Sequence, residues 1–527
     1  MPRSLLSMTH SYNRSKWILP TLSFILLAQP VIASDTHSDE ILMDVRAYRM
    51  AHEVEILQSF SELLSIPNVA SDIENIQRNA DFIRQELARR DVEVEIWTQD
   101  GAPPIVYGSR DIGSSRTIGI YVHYDGQPVD PAEWVNPAWN PTLYTASIEE
   151  GGVARPLPSA GERLDPEARL YARSAGDDKA PLAAIFTALD ALARLKVSPT
   201  SNLVFLLEGE EEAGSEHLGR YLRDHREALD VDLWLICDGP VHQSRRPQLL
   251  FGVRGYTGLD LETYGANRYL HSGHYGNWAP NPAQVLVNLL STMKDPDGRV
   301  LIEGFYDSTM PISDAEREAM SLLPDFDDQL RIELGLAATE AENAPLAERL
   351  LIPSFNIRGL SSATVGEQAR NIIPKEATAS IDIRLAKGNN PIEILDLVEE
   401  HIRAQGFTII RDEPDAEIRL EHPKLIKVTR NEGYPAARTA MDLPLVLEVE
   451  AAAERAAGEP VLKVPTLGGS LPLYLFNEIL EAPLVVVPIA NHDDNQHAPN
   501  ENLRLANLWY GIDLMASLFT MPFTPAE

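Results

Sequence analysis

A single cysteine, Cys237, stands in 527 residues, so no intramolecular disulfide can staple this fold. Cys237 lies inside an apolar run and reads as a small buried hydrophobe rather than a nucleophile. Positive charge is also scarce: 45 Lys and Arg against 78 Asp and Glu leave a formal net charge of −33. Such a surface repels phosphate backbones and anionic bilayers, which argues against nucleic acid as a partner. Acidity does not identify a substrate, and its simplest role is solubility. Internal repeats and low-complexity tracts are absent. With 44% hydrophobic and 23% charged residues the composition is that of a globular chain, and the length allows roughly two to four domains.

The N-terminus is different in character. Arg3, Arg14 and Lys16 precede the apolar run Trp17–Leu27, and Val31-Ile32-Ala33 offers small residues for cleavage. This is the layout of a secretory signal peptide over residues 1–33. Pro20, Thr21 and Ser23 interrupt the run, which is too short to span a bilayer comfortably. Export with cleavage is therefore expected, with no stable membrane insertion afterwards. An exported chain without disulfides fits a bacterial periplasm.

Beyond that segment, periodicity predicts helices over Val45–Leu64 and Glu74–Arg90, and strands over Val92–Trp97 and Thr117–Val122. Residues Asp125–Arg169, rich in Pro, Gly and Trp, read as a long surface loop. Lys179–Leu195 carries Leu182, Ile185, Phe186, Leu189 and Leu192 on one stripe, with Pro181 in its first turn, and reads as a crossover helix between strands. This alternation predicts an α/β fold with a doubly wound, mainly parallel sheet. Near residue 250 the pattern changes. Strands over Phe251–Tyr264, Ala377–Leu385 and Phe407–Arg411, with helices over Pro282–Met293 and Pro391–Gln405, suggest an α+β unit of ferredoxin-like character. Residues 304–350 are acidic and read as a helical elaboration of it. The α/β pattern then returns with a helix over Val446–Ala457, a strand over Pro483–Pro488 and a helix over Asn502–Phe519. The expected organisation is a catalytic domain in two parts, 40–248 and 441–527, with a lid inserted at 249–440.

Four apolar strand-like runs, Thr117–Val122, Asn202–Leu207, Leu233–Cys237 and Pro483–Pro488, lead into carboxylates or histidines. After them come His123 and Asp125, Glu211 and Glu212, Asp238, and a loop containing His492 and His497, between which spacing does not choose. Asp177 and Asp178 precede the Lys179–Leu195 helix. Ligands of open α/β sheets collect outside the carboxyl ends of the strands. Histidines and carboxylates gathered there suit a pair of zinc ions, with cobalt or manganese as alternatives, able to share a hydroxide and polarise a carbonyl. Asp125, two residues beyond His123, can orient its imidazole.

These ordered motifs resemble the two-zinc exopeptidases and amidohydrolases that include carnosinase-type dipeptidases, glutamate carboxypeptidase, aminoacylase and acetylornithine deacetylase. The dipeptidase branch is most similar, through His123-Tyr124-Asp125-Gly126-Gln127-Pro128, Glu211-Glu212-Ala213-Gly214-Ser215 and His271-Ser272-Gly273. The resemblance implies that His123, Asp177, Glu212, Asp238 and His497 bind metal, with Asp177 bridging and followed by a cis peptide. It implies Asp125 as the carboxylate behind His123 and Glu211 as general base acting on a metal-bridging water. His271 would reach a partner subunit's active site in a homodimer, while Asn371, Arg384, Gly469 and Ser470 would contact substrate. A planar guanidinium such as Arg384 suits a substrate carboxylate. The implied activity is hydrolysis of a peptide bond next to a free C-terminal carboxylate, with N-acyl-amino-acid deacylation as the alternative on the same scaffold. The chain departs from the family pattern at Ala172, Ser174 and Ala180, where glycines are usual, and at Gly126, where valine is common.

Overall fold

The computed structural model describes residues 36–159, 163–469 and 471–523. The segment read as a signal peptide and Ser470 lie outside the described residues. The main sheet has eight strands, in the spatial order Glu93–Trp97, Ile105–Arg110, Asn202–Glu208, Thr117–His123, Leu233–Ile236, Leu484–Val486, Gln248–Leu250 and Leu462–Val464. The four central neighbours, from Asn202–Glu208 to Leu484–Val486, are mutually parallel. They are the strands that correspond to the apolar runs in the sequence. Both of their faces are covered, which is why they read as runs rather than alternations. Ile118, Ile120, Leu203, Phe205, Leu233 and Leu235 face one core, under the helices Ala180–Leu195 and Leu505–Phe519. Tyr121, Val204, Leu206, Trp234 and Ile236 face the opposite one.

A second sheet is built from residues 255–434, in the order Ser354–Ser361, Glu376–Leu385, Gly255–Tyr264, Leu425–Tyr434 and Thr408–Ile410. All its pairs are antiparallel except the last. Its own core includes Leu286 and Leu289 of the helix Pro282–Leu290 and Val398 and Ile402 of the helix Pro391–Ala404, packed on Leu259, Ile381 and Ile426. No described helix is long and apolar enough to cross a membrane.

Several expectations need correction. The helix expected over Val45–Leu64 is two helices, Thr36–Ala51 and Glu53–Leu64. At the break the His52 backbone N–H reaches Arg49 O, and its ring Nδ1 bonds Tyr48 O, the carbonyl a continuous helix would have used. The expected loop Asp125–Arg169 is partly ordered as the strands Thr142–Tyr144 and Ala154–Arg155, which join Arg169–Tyr171 and Asn502–Arg504 in a small antiparallel sheet. The last helix accordingly starts at Leu505 and not at Asn502, because Asn502–Arg504 is committed to that sheet. The strands Ser354–Ser361 and Leu425–Tyr434 escaped the pattern reading; the first is exposed along most of its length and so carries little hydrophobic alternation.

Gly119 shows how tightly the central strands are packed. A Cβ there would lie 2.5 Å from the indole of Trp234, which is fully buried on the adjacent strand. Gly119→Ala is expected to cost about 1–3 kcal/mol in urea unfolding. An unchanged midpoint would show that the Trp234 face is looser than described.

Candidate metal centre

The parallel strands Asn202–Glu208, Thr117–His123, Leu233–Ile236 and Leu484–Val486 end at one edge, and the polar residues that follow them converge there. His123 is the last residue of its strand and is fully buried. Its Nε2 lies 2.9 Å from Asp177 Oδ1, and its Nδ1 faces Asp125 Oδ1 at 3.4 Å. On the other side of Asp177, Oδ2 lies 3.2 Å from His497 Nε2, which is also 3.1 Å from Glu212 Oε2. Two sets of donors therefore share Asp177: His123, Asp177 and Asp238, and Asp177, Glu212 and His497, each with one atom per residue within 4.8 Å of the others. The structure chooses His497 over His492, which sits 3.9 Å from Asp493 instead.

Hydrogen bonds fix the loops carrying these groups. Asp125 accepts from the backbone N–H groups of Glu211 and Glu212 at 3.1 and 3.0 Å, so one carboxylate faces His123 and also holds the glutamate turn. Gln127 donates to Glu212 Oε2 at 2.8 Å and Gln496 to Asp177 Oδ2 at 2.7 Å. Glu501, fully buried, accepts from the backbone of Ser174, Gly176 and Asp177 at 2.9–3.0 Å and from Arg173 Nη1 at 2.7 Å. It thus positions the Asp177 loop, whose Asp177–Asp178 peptide is cis. Asp178 is buried and accepts from the His123 backbone N–H. Lys179 is buried as well, and its Nζ donates to Leu63 O and Ile66 O at 3.1 and 3.0 Å. Burial brings that ammonium down to about 7. Sequence reasoning gave none of Gln127, Gln496, Glu501 or Lys179 a role; Glu501 was visible only as one polar residue in the loop after His497.

The cluster is crowded with negative charge. Burial, reinforced by neighbouring carboxylates, pushes Glu211 up to about 9 and Asp238 up to about 7. The carboxylates of Asp177 and Glu212 hold a proton on His497, raising it to about 10. Burial works to raise Asp177, but His123 and His497 outweigh it and hold the carboxyl well below its usual range. Two imidazoles and three carboxylates with converging atoms, in a site that otherwise recruits protons to balance its charge, fit divalent cations.

The remaining predicted residues belong to other parts of the chain. His271 is exposed; its ring accepts from the Gly273 backbone N–H at 3.1 Å and lies 4.5 Å from the His274 ring. Asn371 is beside it, its carbonyl accepting from the Ser272 N–H, where Leu270–His271 pairs with Ile372–Ile373. Arg384, on the strand Glu376–Leu385, lies over the Tyr256 ring at 5.4 Å. Gly469 is in the loop after Leu462–Val464. Cys237 is buried, and burial pushes its thiol well above the usual range, which removes it as a nucleophile.

A doubly wound sheet with converging histidines and carboxylates at its C-terminal edge defines a metal-dependent hydrolase. Comparison with known proteins narrows the class. Residues 119–521 match the profile of peptidase family M20/M25/M40. The chain is 25% identical over 483 residues to a Cys-Gly metallodipeptidase of Schizosaccharomyces pombe, covering 88% of this chain and 94% of that one. It is 25% identical over 523 residues to the human Beta-Ala-His dipeptidase, covering 94% and 95%. An M20 family metallo-carboxypeptidase structure from Sulfolobus solfataricus superimposes with a TM-score of 0.68 at 26% identity, over 89% of this chain and 99% of that one. The chain belongs to peptidase family M20/M25/M40 and is a metallopeptidase.

To bind metal, His497 would have to give up the proton that the carboxylates of Asp177 and Glu212 favour. Metal uptake at about pH 7 should therefore release protons, and apparent affinity should rise between about pH 6 and 8, roughly tenfold per pH unit for each proton displaced. Calorimetry in buffers of different ionisation enthalpy measures this. Binding without net proton release would show that His497 is not a ligand.

Proposed function

We propose that the protein is a dipeptidase or small-peptide carboxypeptidase using two zinc ions, held by His123, Asp177, Glu212, Asp238 and His497, with Asp177 common to both. The observation that carries this reading is the pair of donor sets meeting at Asp177. When bound, such cations polarise a scissile carbonyl and make water a better nucleophile near neutral pH. Glu211, whose carboxyl is near enough to feel both His123 and Asp238, takes the proton of the attacking water and passes it to the leaving amine. Cations held by the neighbouring donors would lower the Glu211 carboxyl toward the range a base needs. Asp125 keeps His123 and the Glu211-Glu212 turn in register. Arg384 receives the C-terminal carboxylate, with Asn371, Gly469 and Ser470 as further substrate contacts. Support for a dipeptide substrate comes from the names of the relatives, which act on Cys-Gly and Beta-Ala-His.

Glu211→Gln is expected to retain metal and lose at least about 100-fold in turnover. Near-normal turnover would remove Glu211 as the base. Wild-type enzyme assayed against dipeptides and N-acyl amino acids should favour the dipeptides; preference for the acyl substrates would assign it to deacylation.

We further propose a homodimer assembled through the inserted unit, in which His271 serves the partner's site, and export to the periplasm after cleavage before Ser34. Support for the first is the edge strand Ser354–Ser361 and its following loop, where Ile357, Leu360 and Val365 are 45%, 56% and 85% exposed. Support for the second is the basic and then apolar layout of residues 1–33. Protein recovered from the periplasm should begin at Ser34 by intact mass and sediment at twice the chain mass. A monomer, or an uncleaved chain, would overturn the corresponding half.

A further inference from the structure

The segment that follows the helix Glu53–Leu64 touches two of the loops that deliver ligands to the metal centre, those of His123 and Asp177. Asn68, fully buried, is the hub. Its Nδ2 donates to Tyr124 O, between His123 and Asp125, and to Ser174 Oγ, both at 2.8 Å. Its Oδ1 accepts from Trp139 Nε1 at 3.3 Å, and its backbone carbonyl accepts from the Gly126 N–H at 2.9 Å. Ser174 Oγ in turn donates to Asp125 O at 3.4 Å. Ser174 lies three residues before Asp177, at φ 61, a left-handed backbone that glycine adopts more readily. A serine there needs a compensating contact, and the bonds to Asn68 and Asp125 provide it.

Gly126 leaves room for that contact. A Cβ at position 126 would overlap Ser174 Oγ and lie 3.0 Å from Asn68 Nδ2. A side chain at 126 would therefore have to displace the Ser174 hydroxyl from its bonds with Asn68 and Asp125.

We propose that Ser174 and Asn68 are positioning residues that set the spacing between the His123 and Asp177 loops, and that Gly126 is glycine because the Ser174 hydroxyl occupies the place of its side chain. Neither group touches a ligand atom; they act through the backbone at Tyr124, Asp125 and Ser174. The proposal rests on the assignment of His123 and Asp177 as metal ligands.

Cobalt(II) titration of the full-length chain, read by visible absorption, tests it with a signal that reports ligand geometry and not turnover. Gly126→Ala should weaken cobalt binding by about tenfold or more and alter the absorption band, the scale seen when groups behind metal ligands are disturbed. The double variant Gly126→Ala/Ser174→Gly should recover both affinity and band shape to those of Ser174→Gly alone. Asn68→Asp, which keeps the acceptor for Trp139 but loses the two donors, should weaken binding by about tenfold. A double variant no better than Gly126→Ala, or a wild-type-like Gly126→Ala or Asn68→Asp, overturns the proposal. If Gly126→Ala does not fold, recovery of folded, cobalt-binding protein in the double variant supports it and continued failure overturns it. A wild-type chain that binds no cobalt would instead overturn the ligand assignment, and the proposal with it.

Discussion

Asp177 lies between two imidazoles, 2.9 Å from His123 and 3.2 Å from His497, and much of the site is arranged to keep it there. A carboxylate taken out of water costs several kcal/mol unless charge or hydrogen bonds replace its hydration. Around Asp177 the chain adds Glu212 and Asp238 to the donor sets, and places Glu211, Asp178 and Glu501 close by. Burial and mutual repulsion push the Glu211 and Asp238 carboxyls up, and Asp177 and Glu212 push His497 up. Strand geometry alone would not hold such a cluster together, because its members repel. The parallel sheet brings the chain to the right edge; the hydrogen bonds of Asp125, Gln127, Gln496 and Glu501 then fix each loop in place.

Those bonds link segments far apart in sequence. Glu501 ties the C-terminal loop to Arg173, Ser174, Gly176 and Asp177, and the adjacent strand Asn502–Arg504 pairs with Arg169–Tyr171. Lys179 ties the start of the helix Ala180–Leu195 to the carbonyls of Leu63 and Ile66. In both cases one buried charged side chain satisfies several backbone groups that a loop inside a protein would otherwise leave unpaired. For the buried pair Arg173–Glu501, loss of one partner would leave the other without its counter-charge, which is among the costliest single changes a fold can meet.

The parts of the fold legible in the sequence were those with one strong physical signature. Parallel strands covered on both faces appear as short apolar runs, and the four that carry the site were visible for that reason. The stripe of Leu182, Ile185, Phe186, Leu189 and Leu192 marked its helix. The edge strand Ser354–Ser361 lacks such a signature because most of its residues face solvent, and the break at His52 depends on one ring bonding one carbonyl. Among site residues, ligands at strand ends could be gathered by position. The bracing roles of Asn68, Gln127, Gln496 and Glu501 could not, even where the residue stands in or next to a ligand's motif as Gln127 and Gln496 do, since a polar residue that braces a loop has no period. Its role exists only once distant segments have been brought together.

The inserted unit raises a different constraint. A group that stabilises developing charge on a reacting carbonyl has to come within hydrogen-bond distance of it. His271 is exposed, and its ring meets Gly273 and His274. The candidate ligands sit at the edge of another sheet, held by their own bonds. In the dimer proposed above, the imidazole would approach the site of the second chain. The exposed edge strand Ser354–Ser361 belongs to the same unit, so pairing along it would carry His271 toward the second chain.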